Sequence, residues 1–174
     1  QLGLYHLFDY FGSPTAKRLI IIMASGGETV QSTVDFMNEF GEDVGLLRVR
    51  LYRPFSMTHF INAIPASAEK IAVLDRTKEP GALGEPLYQD IMTAFAEFNQ
   101  NSSDSDKKNP LIIGGRYGLS SKEFTPAMVK GIFDELKNDI PKNHFTIGIN
   151  DDVTHTSLKY DHSYTLNDEN VFRG

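Results

Sequence analysis

Short apolar runs alternate along the chain with longer segments whose apolar residues recur at helical spacing. The first run, RLIIIMA at 18–24, has no polar position between its ends, as in a strand that is buried on both faces of a sheet. Similar runs are VGLLRVRLY at 44–52, KIAVLD at 70–75, NPLIIGG at 109–115 and HFTIGIN at 144–150. The pattern therefore predicts five strands in a buried sheet.

Helices are predicted between these strands, where apolar residues lie three or four positions apart. The first is bounded by a capping box, Ser25 with Glu28, and by Gly41, which can end a helix. A short helix follows Ser56, and two longer helices begin at prolines, which the first helical turn tolerates. The residues predicted to face inward in the three longer helices are Val30, Val34 and Met37, then Leu87, Ile91, Phe95 and Phe98, then Val129, Ile132, Phe133 and Leu136.

The alternation of strands and helices predicts the fold class. Parallel strands need crossover connections, and helices in those connections cover both faces of the sheet. We therefore expect one domain over residues 1–174, a three-layer α/β/α sandwich with a mostly parallel five-stranded sheet. Residues 1–17 form an N-terminal extension, residues 18–149 the core, and residues 150–174 a C-terminal tail that leads to the next domain of a larger protein. The polar stretch at 99–110 is expected to be a solvated loop.

Composition narrows the function classes. The net charge of −6 argues against a nucleic-acid partner, because phosphate backbones attract basic surfaces. The absence of cysteine excludes disulfides, Fe–S ligation and cysteine-type zinc sites within this sequence, and it fits a reducing compartment such as the cytoplasm. No apolar run approaches the ~20 residues that span a bilayer, so no membrane association is expected. The chain does not begin with Met, which suggests a segment of a longer protein.

Ligands of such sheets favour the carboxyl ends of the strands, and the loop ASGGET at 24–29 lies at one of them. It places Gly26 and Gly27 at a helix start, where free N–H groups can bind an anion, with Arg116 as a cationic candidate from another strand end. The full dinucleotide-binding glycine pattern is absent, so a tight turn with a helix cap is the simpler interpretation.

The most charged strand end is DRTKEPGALGEP at 75–86. Asp75 and Glu79 have the chemistry of an acid–base pair, and Arg76 or Lys78 could hold phosphate. Neighbouring opposite charges more simply neutralise each other at a contact surface. We therefore predict that Asp75, Arg76, Lys78 and Glu79 form a docking element for a neighbouring domain or subunit.

Two further strand ends carry candidate residues. In GGRYGLSSKEF, Arg116 and Tyr117 are residue types enriched at protein interfaces, and the loop is not a phosphate-binding Walker motif. NDDVTHTS supplies Asp151, Asp152 and His155. A metal there would need further ligands, so structural hydrogen bonding or interdomain contact is the favoured interpretation. No catalytic or metal-binding residue is predicted.

Several segments resemble pyruvate:ferredoxin (flavodoxin) oxidoreductases. They are RLYRPF, KIAVLDRTKEPGALGEPLYQD, GGRYGLSSKEFTPAMVKGIFDEL and NHFTIGINDDVTHTSL, with YHLFDYFGSP and MASGGET similar to the same family. The resemblance extends from about Tyr5 to about Leu158 and covers the domain II region, which is similar to the C-terminal domain of transketolase. The same module occurs in the hemoprotein (beta) subunit of fungal-type sulfite reductase. The polar loop at 99–110 and the short tail YDHSYTLNDENVFRG depart from the family pattern and keep this second parent open.

The resemblance implies a parent enzyme that decarboxylates pyruvate on thiamine diphosphate and makes acetyl-CoA. Its electrons pass through Fe–S clusters to ferredoxin or flavodoxin. A sulfite reductase parent would instead reduce sulfite to sulfide with NADPH, using flavin, sirohaem and Fe–S. In either parent we expect these cofactors in other domains and none in this chain.

The expected function is that of a non-catalytic structural and docking domain in a large, homo-oligomeric, cytoplasmic oxidoreductase. Its expected partners are other domains of the same polypeptide. The alternative from a different class is a module that binds an anion or CoA.

Overall fold

The computed structural model describes residues 6–103, 108–149 and 153–166, and they form one six-stranded α/β sheet with helices on both faces. The strands are β1 (Phe8–Gly12), β2 (Arg18–Met23), β3 (Val44–Val49), β4 (Lys70–Asp75), β5 (Leu111–Arg116) and β6 (Phe145–Thr146). The helices are α1 (Gly26–Glu39), α2 (Met57–Ala63), α3 (Pro86–Asn101) and α4 (Pro126–Glu135), with a 3-10 turn at Leu119–Ser121. No helix in these ranges is both long and apolar enough to cross a membrane.

The strand order is β1-β3-β2-β4-β5-β6, and every pairing is parallel except that of β1 with β3. The predicted α/β sandwich is confirmed, but the strand count is corrected from five to six. The additional strand, β1, lies within the stretch that was expected to be an extension outside the sheet. Its sequence, FDYFG, is short and has neither a continuous aliphatic run nor regular alternation, so it carries little strand pattern.

The core is divided by the sheet into two clusters, one on each face. Alternation along β2 sends Ile20 and Ile22 to the face covered by α1 and α4, whereas Leu19 and Ile21 pack on the face of α2 and α3. All four side chains are fully buried, which explains the unbroken apolar run of this strand.

Three local expectations need correction. Ser25 is the N-cap of α1, but its side chain makes no capping bond, and Glu28 instead pairs with Arg48 at 3.3 Å, so the capping box is wrong. The predicted polar loop begins later than residue 99, because α3 continues to Asn101. The last predicted strand is only two residues long, and Ser157 from the tail forms a bridge with Thr146 beside it.

Candidate functional site

Asp75, the last residue of β4, caps helix α3 across an intervening loop. Its carboxylate is 1% exposed and accepts hydrogen bonds from the backbone N–H groups of Leu87 (3.0 Å) and Tyr88 (3.2 Å). The residue at the N-cap itself, Glu85, makes no side-chain capping bond. Asp75 therefore satisfies amides at the start of α3 that would otherwise be buried without partners, and it joins the two ends of loop 76–84.

Burial raises the pKa of Asp75, even though its two amide hydrogen bonds act in the opposite direction. The nearby Glu85 and Asp90 carboxylates raise the pKa further. Because this pKa is higher in the folded chain than in the unfolded chain, the linked stability is greatest at low pH. It is lost as the pH rises through the folded-state pKa. The ionised form at neutral pH thus depends on the two amides for its stabilisation.

A buried ion pair holds Glu85, the residue that directly follows loop 76–84. Glu85 is 2% exposed, and its Oε1 accepts a hydrogen bond from Arg116 Nε at 2.5 Å. The Arg116 guanidinium also donates to the carbonyl of His144 at 3.4 Å. Arg116 lies directly beside Asp75 in the β4–β5 register, so the ion pair and the cap share one base. Removing one partner of such a pair leaves an uncompensated buried charge, which is strongly destabilising.

Tyr88 closes this base on the side of β6. Its ring makes an edge contact with the ring of His144 at 5.3 Å, and its hydroxyl accepts a hydrogen bond from Asn143 Nδ2 at 3.2 Å. A Cβ at position 84 would lie 2.4 Å from the Tyr88 ring, so only glycine fits where the loop enters α3. The base of the loop is therefore packed as tightly as the core.

Above this base, loop 76–84 projects into solvent. Arg76, Lys78 and Glu79 are exposed, and the loop is shaped by a turn in which the N–H of Ala82 bonds the carbonyl of Glu79 at 3.2 Å. Leu83 is 92% exposed, a large apolar side chain presented on a short, firmly held loop. The combination of charged residues, an apolar tip and a fixed base is suited to contact with another protein surface.

A separate cavity of about 370 Å³ lies at the start of α1. It brings together Gly26, Arg76 and Tyr117 from three strand ends, with Lys122 from the loop after the 3-10 turn. Tyr117 forms its floor: the ring packs on Phe124 at 4.6 Å and leaves no room for a Cβ at position 26. The full lining is Ser25, Gly26, Thr29, Arg76, Tyr117, Gly118, Ser121, Lys122, Glu123 and Phe124.

The structure separates the residues that were predicted as an anion site. Gly26 lines the cavity, but Gly27 packs against the Arg48 side chain, and Arg116 is held by Glu85. Arg76 and Lys122 are the cations that line the cavity. Arg76 was predicted as a possible phosphate ligand only at its own strand end, and Lys122 was not predicted. Arg116 was predicted as the cation because it ends a strand, but this position does not bring it to the cavity.

The predicted docking set divides into buried and exposed residues. Asp75 is 1% and Tyr117 3% exposed, and both make hydrogen bonds within the domain. This burial argues against direct contact with a neighbour, and a docking role for these two residues stays a prediction. The Arg116 side chain, 15% exposed and paired with Glu85, serves the base of the loop. The exposed part of the set is Arg76, Lys78 and Glu79.

The predicted cluster at the last strand end is only partly described. His155 is exposed, and its carbonyl accepts a hydrogen bond from Lys142 Nζ at 3.1 Å. Asp151 and Asp152 lie outside the described residues, so a docking role for this cluster stays a prediction. In the described ranges, no three His, Cys, Asp or Glu side chains are grouped to hold a metal ion.

Three residues of these sites were not predicted from the sequence: Glu85, Leu83 and Lys122. Glu85 directly precedes a proline that begins a helix, which marks it as an N-cap position, but its partner lies 31 residues further along the chain. Leu83 is an apolar residue isolated among glycines and prolines, and such a residue in a turn is a usable indication of an exposed contact.

The capping role of Asp75 predicts that Asp75 and Glu79, at the two ends of one short segment, contribute differently to the free energy of unfolding. We expect Asp75→Ala to lower the free energy of unfolding by about 1–3 kcal/mol, because two buried amides lose their acceptor. Glu79→Ala, the control, should change it by less than about 0.5 kcal/mol because its side chain is exposed. Urea denaturation of the two variants measures this difference. A loss for Asp75→Ala as small as that expected for Glu79→Ala would show that the Asp75 cap does not support the fold.

Comparison with known proteins assigns the chain to a family. The model described as "Pyruvate:ferredoxin oxidoreductase core domain II" matches residues 16–115. The pyruvate-flavodoxin oxidoreductase of Nostoc sp. is 60% identical over 174 residues, covering 97% of this chain and 14% of the relative. The pyruvate:ferredoxin oxidoreductase of Moorella thermoacetica is 54% identical over 169 residues, with 97% and 14% coverage.

A solved 2-oxoglutarate:ferredoxin oxidoreductase from Magnetococcus marinus aligns at a TM-score of 0.49 and 18% identity, over 79% of this chain and 21% of that one. Likeness at that level carries no argument about function. The chain spans about 14% of the length of the two oxidoreductases from Nostoc and Moorella, so it corresponds to one domain of a large enzyme. The resemblance found in the sequence is confirmed: the chain belongs to the pyruvate:ferredoxin oxidoreductase family, as its core domain II.

Proposed function

We propose that this chain is a non-catalytic structural and docking domain of a large oxidoreductase that oxidises pyruvate and passes electrons to ferredoxin or flavodoxin. The proposal rests on a contrast in solvent exposure within one short segment. Leu83 is 92% exposed on loop 76–84, whereas Asp75 and Glu85 at the two ends of that loop are 1% and 2% exposed. A loop held this firmly loses little conformational entropy when it docks.

The composition of the loop supports the same function. An apolar tip beside Lys78 and Glu79 offers a contact centre with charged residues at its margin, as in the interfaces between domains. The charged residues fix orientation, and the apolar residue supplies most of the binding free energy once water is excluded. The partner we propose is another domain of the same polypeptide, in a homo-oligomeric parent of the cytoplasm.

The cofactors belong to other parts of this proposed parent. Thiamine diphosphate and Fe–S clusters would supply the decarboxylation and the electron transfer. This sequence contains no cysteine and therefore no thiolate for a cluster, so its residues do not fit that group. The sulfite reductase parent, with flavin, sirohaem and Fe–S, stays a prediction, and the 60% identity to a pyruvate-flavodoxin oxidoreductase favours the pyruvate enzyme.

The docking loop is tested by placing a charge at its tip in the parent enzyme. We expect Leu83→Asp to speed limited proteolysis at the edges of this domain about tenfold, which corresponds to a loss of ~1.4 kcal/mol in docking. The matched control is Ile140→Asp, because Ile140 is 91% exposed at the opposite end of the sheet.

Neither change should alter the melting of the isolated chain, since both side chains are exposed. Faster proteolysis in both variants, or in neither, would contradict a docking role for loop 76–84. A lower melting temperature of the isolated Leu83→Asp chain would show that the tip supports the fold instead.

A second candidate function is the binding of an anionic group in the cavity at the start of α1. The observation in its favour is that the Arg76 and Lys122 side chains line this cavity, and neither side chain has an ion pair or hydrogen bond within the described ranges. The amides of Gly27 and Glu28 at the start of α1 bond the carbonyls of Ala24 and Ser25 at 3.2 Å, so it is the positive end of the helix dipole that adds to the potential. A phosphate, either inorganic or carried by CoA, is the kind of group that such a cavity would hold.

Calorimetric titration of the chain with inorganic phosphate and with CoA tests this candidate. We expect saturable heat at millimolar ligand that is lost in Arg76→Ala with Lys122→Ala, because the two cations provide the charge. Lys159→Ala, at an exposed lysine away from the cavity, should bind like the unchanged chain. The absence of saturable heat with either ligand would remove the anion-binding function.

A further inference from the structure

Strand β1 forms one edge of the sheet. In the described part of the chain it pairs only with β3, in antiparallel register from Phe8 opposite Val49 to Gly12 opposite Gly45. The other side of β1 therefore presents backbone groups along an open edge. Exposed strand edges are templates for pairing with another chain, and natural proteins usually protect them.

The hydrogen bonds at the two ends of β1 establish which backbone groups face outward. The N–H of Arg50 bonds the carbonyl of Leu7 at 2.9 Å, and the N–H of Ser13 bonds the carbonyl of Val44 at 3.1 Å. Hydrogen-bonded pairs alternate in an antiparallel ladder. The backbone N–H and C=O groups of Asp9 and Phe11, like those of Leu7 and Ser13, therefore point toward β3.

By the same alternation, the N–H and C=O groups of Phe8 and Tyr10 point away from β3, toward the open edge. They are the backbone groups that a further strand would bond. Their side chains lie on the α2 side of the sheet, in or against the cluster that includes Phe60.

Two common protections of an edge strand, a lysine and a proline, are absent from β1. Its sequence, FDYFG, contains neither lysine nor proline, and its one charge, Asp9, is held by Arg50 Nε at 2.6 Å. An open groove of about 700 Å³ runs beside the strand, with Phe8 and Tyr10 on one side and Ala63 and Pro65 on the other. Among residues 6–103, 108–149 and 153–166, the edge thus combines outward-facing backbone groups, which no strand pairs, with an adjoining, largely apolar recess.

We propose that this edge is completed, in the parent polypeptide, by an extended segment from another domain that pairs with β1 as a seventh strand. The inference rests on the proposed function as one domain of a larger enzyme. That segment donates to and accepts from the backbone of Phe8 and Tyr10. Its alternate side chains, which enter the groove beside Ala63 and Pro65, are apolar.

Two observations favour a segment of the parent over a second copy of this chain. The chain accounts for 14% of the length of the Nostoc relative, so most of such an enzyme lies outside it. The net charge of −6 on each copy further opposes self-association.

Amide hydrogen exchange on the full parent polypeptide, resolved to single residues, tests the inference with an internal control. Asp9 and Phe11 bond β3 whether or not the edge is covered, so they report the stability of β1 itself. We expect the Phe8 and Tyr10 amides to exchange within about tenfold of those two controls. Exchange of Phe8 and Tyr10 at least about 100-fold faster than the controls would overturn the inference.

A pair of variants separates backbone pairing from side-chain packing. Tyr10→Pro deletes the outward N–H, whereas Tyr10→Val keeps it and also loses the ring. With Asp9 and Phe11 still protected, we expect Tyr10→Pro to release the Phe8 amide and Tyr10→Val to leave it protected. Equal exchange of the Phe8 amide in the two variants would overturn the inference. Protection of this amide in the isolated chain that rises with the concentration of the chain would also overturn it, because it would indicate pairing with a second copy. These exchange measurements do not involve loop 76–84. A result that overturns the pairing of β1 therefore leaves the proposed docking role of that loop untouched, and the reverse also holds.

Discussion

The bonds from the Asp75 carboxylate to the first amides of α3 are the constraint on which the position of loop 76–84 depends. They join the end of one strand to the start of the next helix, so loop 76–84 has both ends fixed. The carboxylate is buried, and a buried carboxylate without donors would be costly. The start of α3 and the ionised form of Asp75 therefore stabilise each other.

The pair formed by Glu85 and Arg116 extends this base to the neighbouring strand. Arg116 lies beside Asp75 in the register of β4 and β5 and pairs with Glu85, so the helix cap and the ion pair lie at the same end of the sheet. Removing one partner of this pair would leave a buried charge uncompensated, which is strongly destabilising. Both ends of the exposed loop are therefore anchored to buried residues, and Leu83 projects into solvent between them.

The buried strands could be predicted from the sequence, because burial leaves a local apolar pattern. Contacts between residues far apart in the chain could not. Ile20 and Ile22 lie in an unbroken apolar run because both sheet faces are covered, and that pattern is local. The ion pair of Glu85 with Arg116 joins residues 31 positions apart, and no local pattern reveals it. Strand β1 was missed because an edge strand of mixed aromatic and polar residues lacks the same pattern. The charges at 76–79 were correctly noticed as unusual, but Asp75 belongs to the fold and its neighbours to the surface.

The central claim is that a buried polar base holds loop 76–84 in position for contact with another domain. The most direct measurement is a structure of the parent enzyme by cryo-electron microscopy. The account predicts that Leu83 is buried against another domain, while the bonds from Asp75 to Leu87 and Tyr88 are unchanged. A parent in which Leu83 remains exposed to solvent in the assembled enzyme would contradict it.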